Sequence, residues 1–178
     1  MKCRAIRQLK NGKSRGVDNI PPEVIKAMDN ISANALHHLI NRIWNEEQIP
    51  DDWRKGLLVK LPKKRDLSLC NNWRGITLLS IPSKILCSVI LQRIKTEVDK
   101  TLRDEQAGFR QERSCVDQNA TLRIIVEQTI EWQTSLCMNF IDFEKAFDSI
   151  LWKILKHYGI PQKIISIIQQ LYDGLIAK

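Results

Sequence analysis

Between Ser83 and Lys100 the chain runs SKILCSVILQRIKTEVDK, and Ile85, Val89, Ile90, Ile94 and Val98 follow one another at steps of four, one, four and four residues. That spacing lays a single apolar stripe along one face of a long helix. A helix with one buried face needs other elements to cover it. The same period predicts helices over 31–47, with Ile31, Ala35, Leu39 and Ile43 on one face, and over 116–132. Shorter helices are expected over 2–10, 23–29, 151–157 and 162–172, the last two divided by Gly159-Ile160-Pro161. Only three runs suggest strands. These are GLLVKLPKK (56–64), which is short enough that helix stays open, Ile76 to Leu79, and LCMNFIDF (136–143), the clearest. The expected class is α+β, rich in helix.

Composition agrees with a folded domain. The 178 residues are 43% hydrophobic and 27% charged, and contain no uncharged run of the roughly 18 residues a membrane span needs. The basic start, MKCRAIRQLKNGK, has no apolar core and is not a secretory signal. Five cysteines, scattered and without a C-x-x-C pair, suit a reducing compartment without a zinc site. An intracellular location, nucleus or cytoplasm, is expected, with no membrane partner.

The net charge of +8 is unevenly placed. Residues 1–75 hold 15 cations and 8 acids, and residues 76–178 hold 13 and 12. Six cations and no acid fall within residues 1–15, and six more with no acid within 54–65. A polyanion on one side of the protein would explain the asymmetry; so would plain solvated charge.

The strand over 136–143 ends on Asp142, where a carboxylate must be solvated, paired or metal-bound. Strand ends are where α/β folds place functional groups, and magnesium takes one or two carboxylates plus substrate phosphates. On local evidence a cap of the next helix, accepting backbone N–H bonds, is the favoured role for Asp142. Asp148 is expected to be a cap or turn residue.

FIDFEKAFDS (140–149) resembles the first catalytic segment of reverse transcriptases from non-LTR, LINE-type retrotransposons, closest in style to RTE elements. Four further segments resemble the family in its own order. They are AIRQLKNGKSRGVDNIPPEVIK, KLPKKRDLSLCNNWRGITLLSIPSKIL, DEQAGFRQERSCVDQ and LWKILKHYGIPQKIISIIQQLYDG. The resemblance implies a partial right-hand polymerase fold. Residues 1–135 would be helix-rich fingers with a few strands, and 136–178 the start of the palm with its first strand. It implies RNA-directed DNA synthesis from deoxynucleoside triphosphates on an RNA template with a DNA primer and Mg2+. Asp142 would be one of three carboxylates holding two magnesium ions, with the Phe143 carbonyl a further ligand. Ala146 and Phe147 would face the incoming nucleotide, Phe147 excluding a 2′-hydroxyl by bulk, though a core aromatic fits the same position. Lys63, Lys64 and Arg74 would clamp the triphosphate, either lysine being eligible. Gln106, Gly108, Phe109, Arg110 and Arg113 would form the segment against the template, the two arginines on phosphates.

The resemblance has gaps. The 178 residues hold no Tyr-x-Asp-Asp, and their one Asp-Asp pair, Asp51-Asp52, falls in a turn and is expected at the surface. One Asp is too few carboxylates to hold two magnesium ions in place. The chain is therefore expected to be a fragment, inactive alone, with the remainder of a polymerase chain as a partner. About four residues usual in the family are missing between Ile150 and Leu151, which would rotate the following helix. Glu112 stands where the family has glycine, in a backbone that a side chain is expected to strain. The alternative is a non-catalytic basic nucleic-acid-binding module derived from a retrotransposon.

Overall fold

The structure, a computed structural model, describes residues 4–63, 66–141, 146–173 and 176–177, with 146–150 and 176–177 described by their backbone alone. The chain divides into two compact units, residues 1–93 with 159–178 and residues 94–158. It is α+β: helices α1 (Arg4–Arg7), α2 (Pro22–Ala27) and α3 (Asn30–Glu46) precede strands β1 (Lys55–Pro62) and β2 (Trp73–Leu78). Then come α4 (Ile81–Thr101), α5 (Cys115–Glu131), α6 (Ala146–His157), α7 (Gln162–Tyr172) and the two-residue β3 (Ile176–Ala177).

In the first unit, the N-terminal half of α4 is the centre of the core. Ile81, Ile85 and Leu86 are almost wholly inaccessible, and Ala5, Ile6, Ile25 and Leu36 from α1, α2 and α3 pack into the cluster with Ile81 and Ile85. Local signals explain the flanking helices. Pro22 opens α2 with its φ already helical. Asp29 caps α3, its carboxylate accepting from the Ser32 amide at 2.8 Å. Gly16 passes so close to the start of α4 that a Cβ there would lie 2.6 Å from the Leu79 carbonyl oxygen, so no larger residue fits. On α7, Gln170 ties the helix to the segment after α3. Its Oε1 accepts from the Ile49 amide at 3.0 Å and from Arg54 at 3.4 Å, and its Nε2 donates to the Glu47 carbonyl.

β1 and β2 pair antiparallel, from Leu57 opposite Leu78 to Pro62 opposite Trp73. β3 adds to the other edge of β1, parallel, at Lys55 and Gly56. Side chains alternate along the pair. Leu57, Val59 and Leu61 therefore share a face with Leu78, Ile76 and Arg74, and Lys60 shares the opposite face with Gly75.

Three expectations need correction. The buried face of α3 is Leu36 and Ile43 with Ile40 partly buried, whereas Ile31 and Leu39 are exposed. Ile43 is buried as expected, but the rest of the stripe moves from Ala35 and Leu39 to Leu36 and Ile40, which pack on the cluster that α1 and α4 supply. The strand expected over 136–143 is absent from 134 to 141, which carry no regular structure and are exposed throughout 136–141. A strand exists only by pairing, and among the described residues none lies alongside; residues 142–143 are outside the described set. Asp148 is neither a cap nor a turn residue but the third residue of α6, which begins earlier than expected and runs unbroken through Ile150 and Leu151.

Among the described residues no helix is long and apolar enough to cross a membrane. Helix α5 has no buried residue at all. Ile85→Ala should lower unfolding free energy by about 2–5 kcal/mol in urea titrations, whereas Ile124→Ala on α5 should change it by no more than about 0.5 kcal/mol.

Candidate functional site

The first group of expected site residues sits at the distal end of the β1–β2 hairpin. Arg74 is held in β2 opposite Leu61, at the end of the apolar face. Its guanidinium is exposed and has no hydrogen bond or ion pair among the described residues. Lys63 extends the ladder beyond β1, its amide donating to the Asn72 carbonyl at 2.8 Å, and its Nζ folds back to donate to the Asn71 carbonyl at 2.8 Å. An ammonium has three donors, so Lys63 keeps two for a ligand. Lys64 lies outside the described residues.

The turn between the strands is built to hold this end still. The Asn72 side chain is buried and donates to the Asp66 carbonyl at 2.5 Å, and Trp73 Nε1 donates to the Leu67 carbonyl at 3.0 Å. Asp66 accepts from the Ser68 amide and hydroxyl, which holds its carboxyl below the usual range and keeps it ionised inside its own turn. Asn72 was not foreseen from sequence. Lys60 was seen only as part of a basic run, yet it stands opposite Gly75 with no partner among the described residues. The strand alternation that puts Lys60 and Arg74 on opposite faces was the available signal for separating them.

The second group lies in the loop between α4 and α5, in the other unit. Arg110 is turned inward. Its side chain is 9% exposed, Nε pairs with Asp99 at 3.0 Å, and Nη1 donates to the carbonyls of Arg103 at 2.7 Å and Gln106 at 3.3 Å. Arg113 pairs with Asp104 at 2.9 Å. Gln106 donates to the Gly108 carbonyl at 3.3 Å and borders an open groove of about 910 Å³ with Arg103, His157 and Tyr158. Phe109, by contrast, is fully exposed and has φ +60°. The resemblance implies Arg110 and Arg113 on phosphates; in the fold Asp99, eleven residues earlier on a helix, is the internal partner of Arg110, and no local pattern marks it.

Glu112 also has a positive φ, +61°. Its backbone is in the left-handed region that glycine adopts without penalty.

The third group is only partly described. Asp142 and Phe143 lie outside the described residues. Ala146 and Phe147 are the first two residues of α6, described by backbone alone. Among the described residues no three His, Cys, Asp or Glu side chains lie together as a metal site. Asp51 and Asp52 are exposed and pair with Arg54 at 3.8 Å and Lys55 at 2.7 Å, so the one Asp-Asp pair is neutralised locally.

The family model described as reverse transcriptase (RNA-dependent DNA polymerase) matches residues 61–176. The chain is 30% identical over 176 residues to the probable RNA-directed DNA polymerase from transposon BS of Drosophila melanogaster, covering 97% of this chain and 19% of that protein. It is 26% identical over 172 residues to the transposon TX1 uncharacterized 149 kDa protein of Xenopus laevis, covering 94% and 13%. It is 29% identical over 149 residues to the putative 115 kDa protein in type-1 retrotransposable element R1DM of Drosophila melanogaster, covering 83% and 14%. The chain thus spans 13% to 19% of the length of the curated relatives it matches.

Replacing Glu112 by glycine should relieve the left-handed strain and raise unfolding free energy by about 1 kcal/mol. Chemical denaturation of the two proteins side by side measures it.

Proposed function

The chain belongs to the reverse transcriptase family of non-LTR retrotransposons, and on that premise we propose that it is a nucleotide- and template-handling part of an RNA-directed DNA polymerase. Residues 1–135 act as fingers and 136–178 as the start of the palm. The reading is carried by Arg74, a guanidinium on a strand, free of partners among the described residues and two ladder positions from Lys63, whose amide pairs with the Asn72 carbonyl. A planar two-pronged cation next to a point charge suits a triphosphate. Lys64 is eligible by resemblance alone. The loop from Gln106 to Arg113 lies against the template strand, with an RNA template, a DNA primer and deoxynucleotides as partners, in the nucleus or cytoplasm.

The family works with divalent metal ions, and we take Mg2+ as the ion here. The residues in hand do not complete a site for it. Asp142 with the Phe143 carbonyl is the ligand set by resemblance, and Asp51-Asp52 is already paired with cations. Two metal ions that clamp the attacking and leaving oxygens need several carboxylates to hold them, so no catalytic step is assigned to this stretch alone. Ala146 and Phe147, at the start of α6, are the residues proposed to face the nucleotide.

Primer extension on an RNA template with Mg2+ should yield no product from the 178 residues by themselves; robust extension would overturn the incomplete site. Arg74→Ala should weaken deoxynucleoside triphosphate binding about tenfold, the weight of a charge-assisted hydrogen bond. The concentration of basic charge in residues 1–75 also favours a second reading, a binding module without catalysis. Both readings predict affinity for single-stranded RNA that falls roughly fifty-fold when salt rises about fourfold, for about four phosphates neutralised. They part on Asp142→Ala in a longer chain that carries the remaining carboxylates: the polymerase loses extension and keeps RNA binding, and the module has no extension to lose.

A further inference from the structure

The loop of residues 102–113 is closed from within. Arg110 is bound to Asp99 and to the carbonyls of Arg103 and Gln106, Arg113 to Asp104, and Lys95 to Gln111. The loop itself carries three cations, Arg103, Arg110 and Arg113, and three acids, Asp104, Glu105 and Glu112. It is neutral overall, and two of its guanidiniums already have carboxylate partners. A surface of this kind has little to attract a phosphate backbone.

What the loop does present is one ring. Phe109 is fully exposed, next in sequence to the most constrained side chain of the loop. Its φ of +60° is one a bulky residue rarely adopts. An aromatic held exposed on such a backbone regains its burial when a flat apolar partner covers the ring, which offsets the cost of the backbone conformation. An unpaired nucleobase is such a partner, since every base has a π-face and stacking asks for no particular sequence. We infer that Phe109 stacks on an unpaired base of the template and that Arg110 is the positioning residue that holds the ring outward. This rests on the reading that the chain binds a nucleic-acid template, and it replaces ionic contact by stacking as this segment's mode of recognition.

Single-stranded RNA carrying 2-aminopurine at successive positions reports on stacking, and the same titration reports affinity. The 178-residue chain should quench the probe at a restricted position. Phe109→Ala should abolish that quenching and weaken binding about tenfold, with the salt dependence unchanged, and Phe109→Trp should restore both. Because the ring makes no core contact, circular dichroism of these variants should match the parent. Arg110→Ala should lose the quenching without lowering the salt slope, and Arg110→Lys, which keeps a cation facing Asp99, should recover part of it. Unchanged quenching and affinity in Phe109→Ala overturn the stacking contact while leaving template binding intact. A salt slope reduced by about one in Arg110→Ala would put the guanidinium on a phosphate and overturn its positioning role. No RNA binding by the parent chain overturns both this inference and the reading beneath it.

Discussion

Everything in the first unit depends on removing Ile81, Ile85 and Leu86 from water at the start of α4. The short helices α1 and α2, four and six residues long, are far below the length at which a helix is stable by itself. They persist because Ala5, Ile6 and Ile25 lie in the same cluster as Ile81 and Ile85. The hairpin is fixed to this cluster by its covalent continuation, since β2 ends three residues before α4 begins. Burial at the start of α4 thus anchors the Leu78 end of the hairpin, while the distal end that carries Arg74 depends on the hydrogen bonds of Asn72 and Trp73 in the turn.

How much of this the sequence disclosed follows from the range of each interaction. On α4 the expected stripe is buried at Ile85 and Ile90 but only half-buried at Val89, Ile94 and Val98, and Leu86 lies outside it; the starts of α2 and α7, expected at 23 and 162, were legible to within one residue because start signals are local. The face of α3 was misplaced by one residue except at Ile43: Ile31 and Leu36 are both apolar, and only the neighbours decide which is covered. Residues 136–141 have strand composition but not a strand's pairing, and pairing is not written in the segment itself. Glu112 was readable, because the expectation that its backbone favours glycine agrees with φ +61°. The inward turn of Arg110 was not, since nothing in the motif marks Asp99 as its partner.

Cations that look alike in composition fall into two physical classes. Lys60 and Arg74 sit on regular strands with no partner among the described residues, where strand geometry holds their charges apart. Arg110 and Arg113 sit in a loop and are bound to carboxylates, where they shape the backbone. A count of basic residues gives the sign of a surface; only the hydrogen bonds say which of those charges remain available.

The absence of buried residues on α5 bears on timescale as well as packing. A helix of 17 residues that rests on no covered side chain is held by its own ladder and by the Ser114 cap, which accepts from Val116 at 3.0 Å. Its amide protons should exchange with solvent through local fraying, whereas those around Ile85 must wait for the whole unit to open. The chain therefore carries a gradient of protection, with deuterium entering α5 while the first half of its neighbour in sequence, around Ile85, is still protonated.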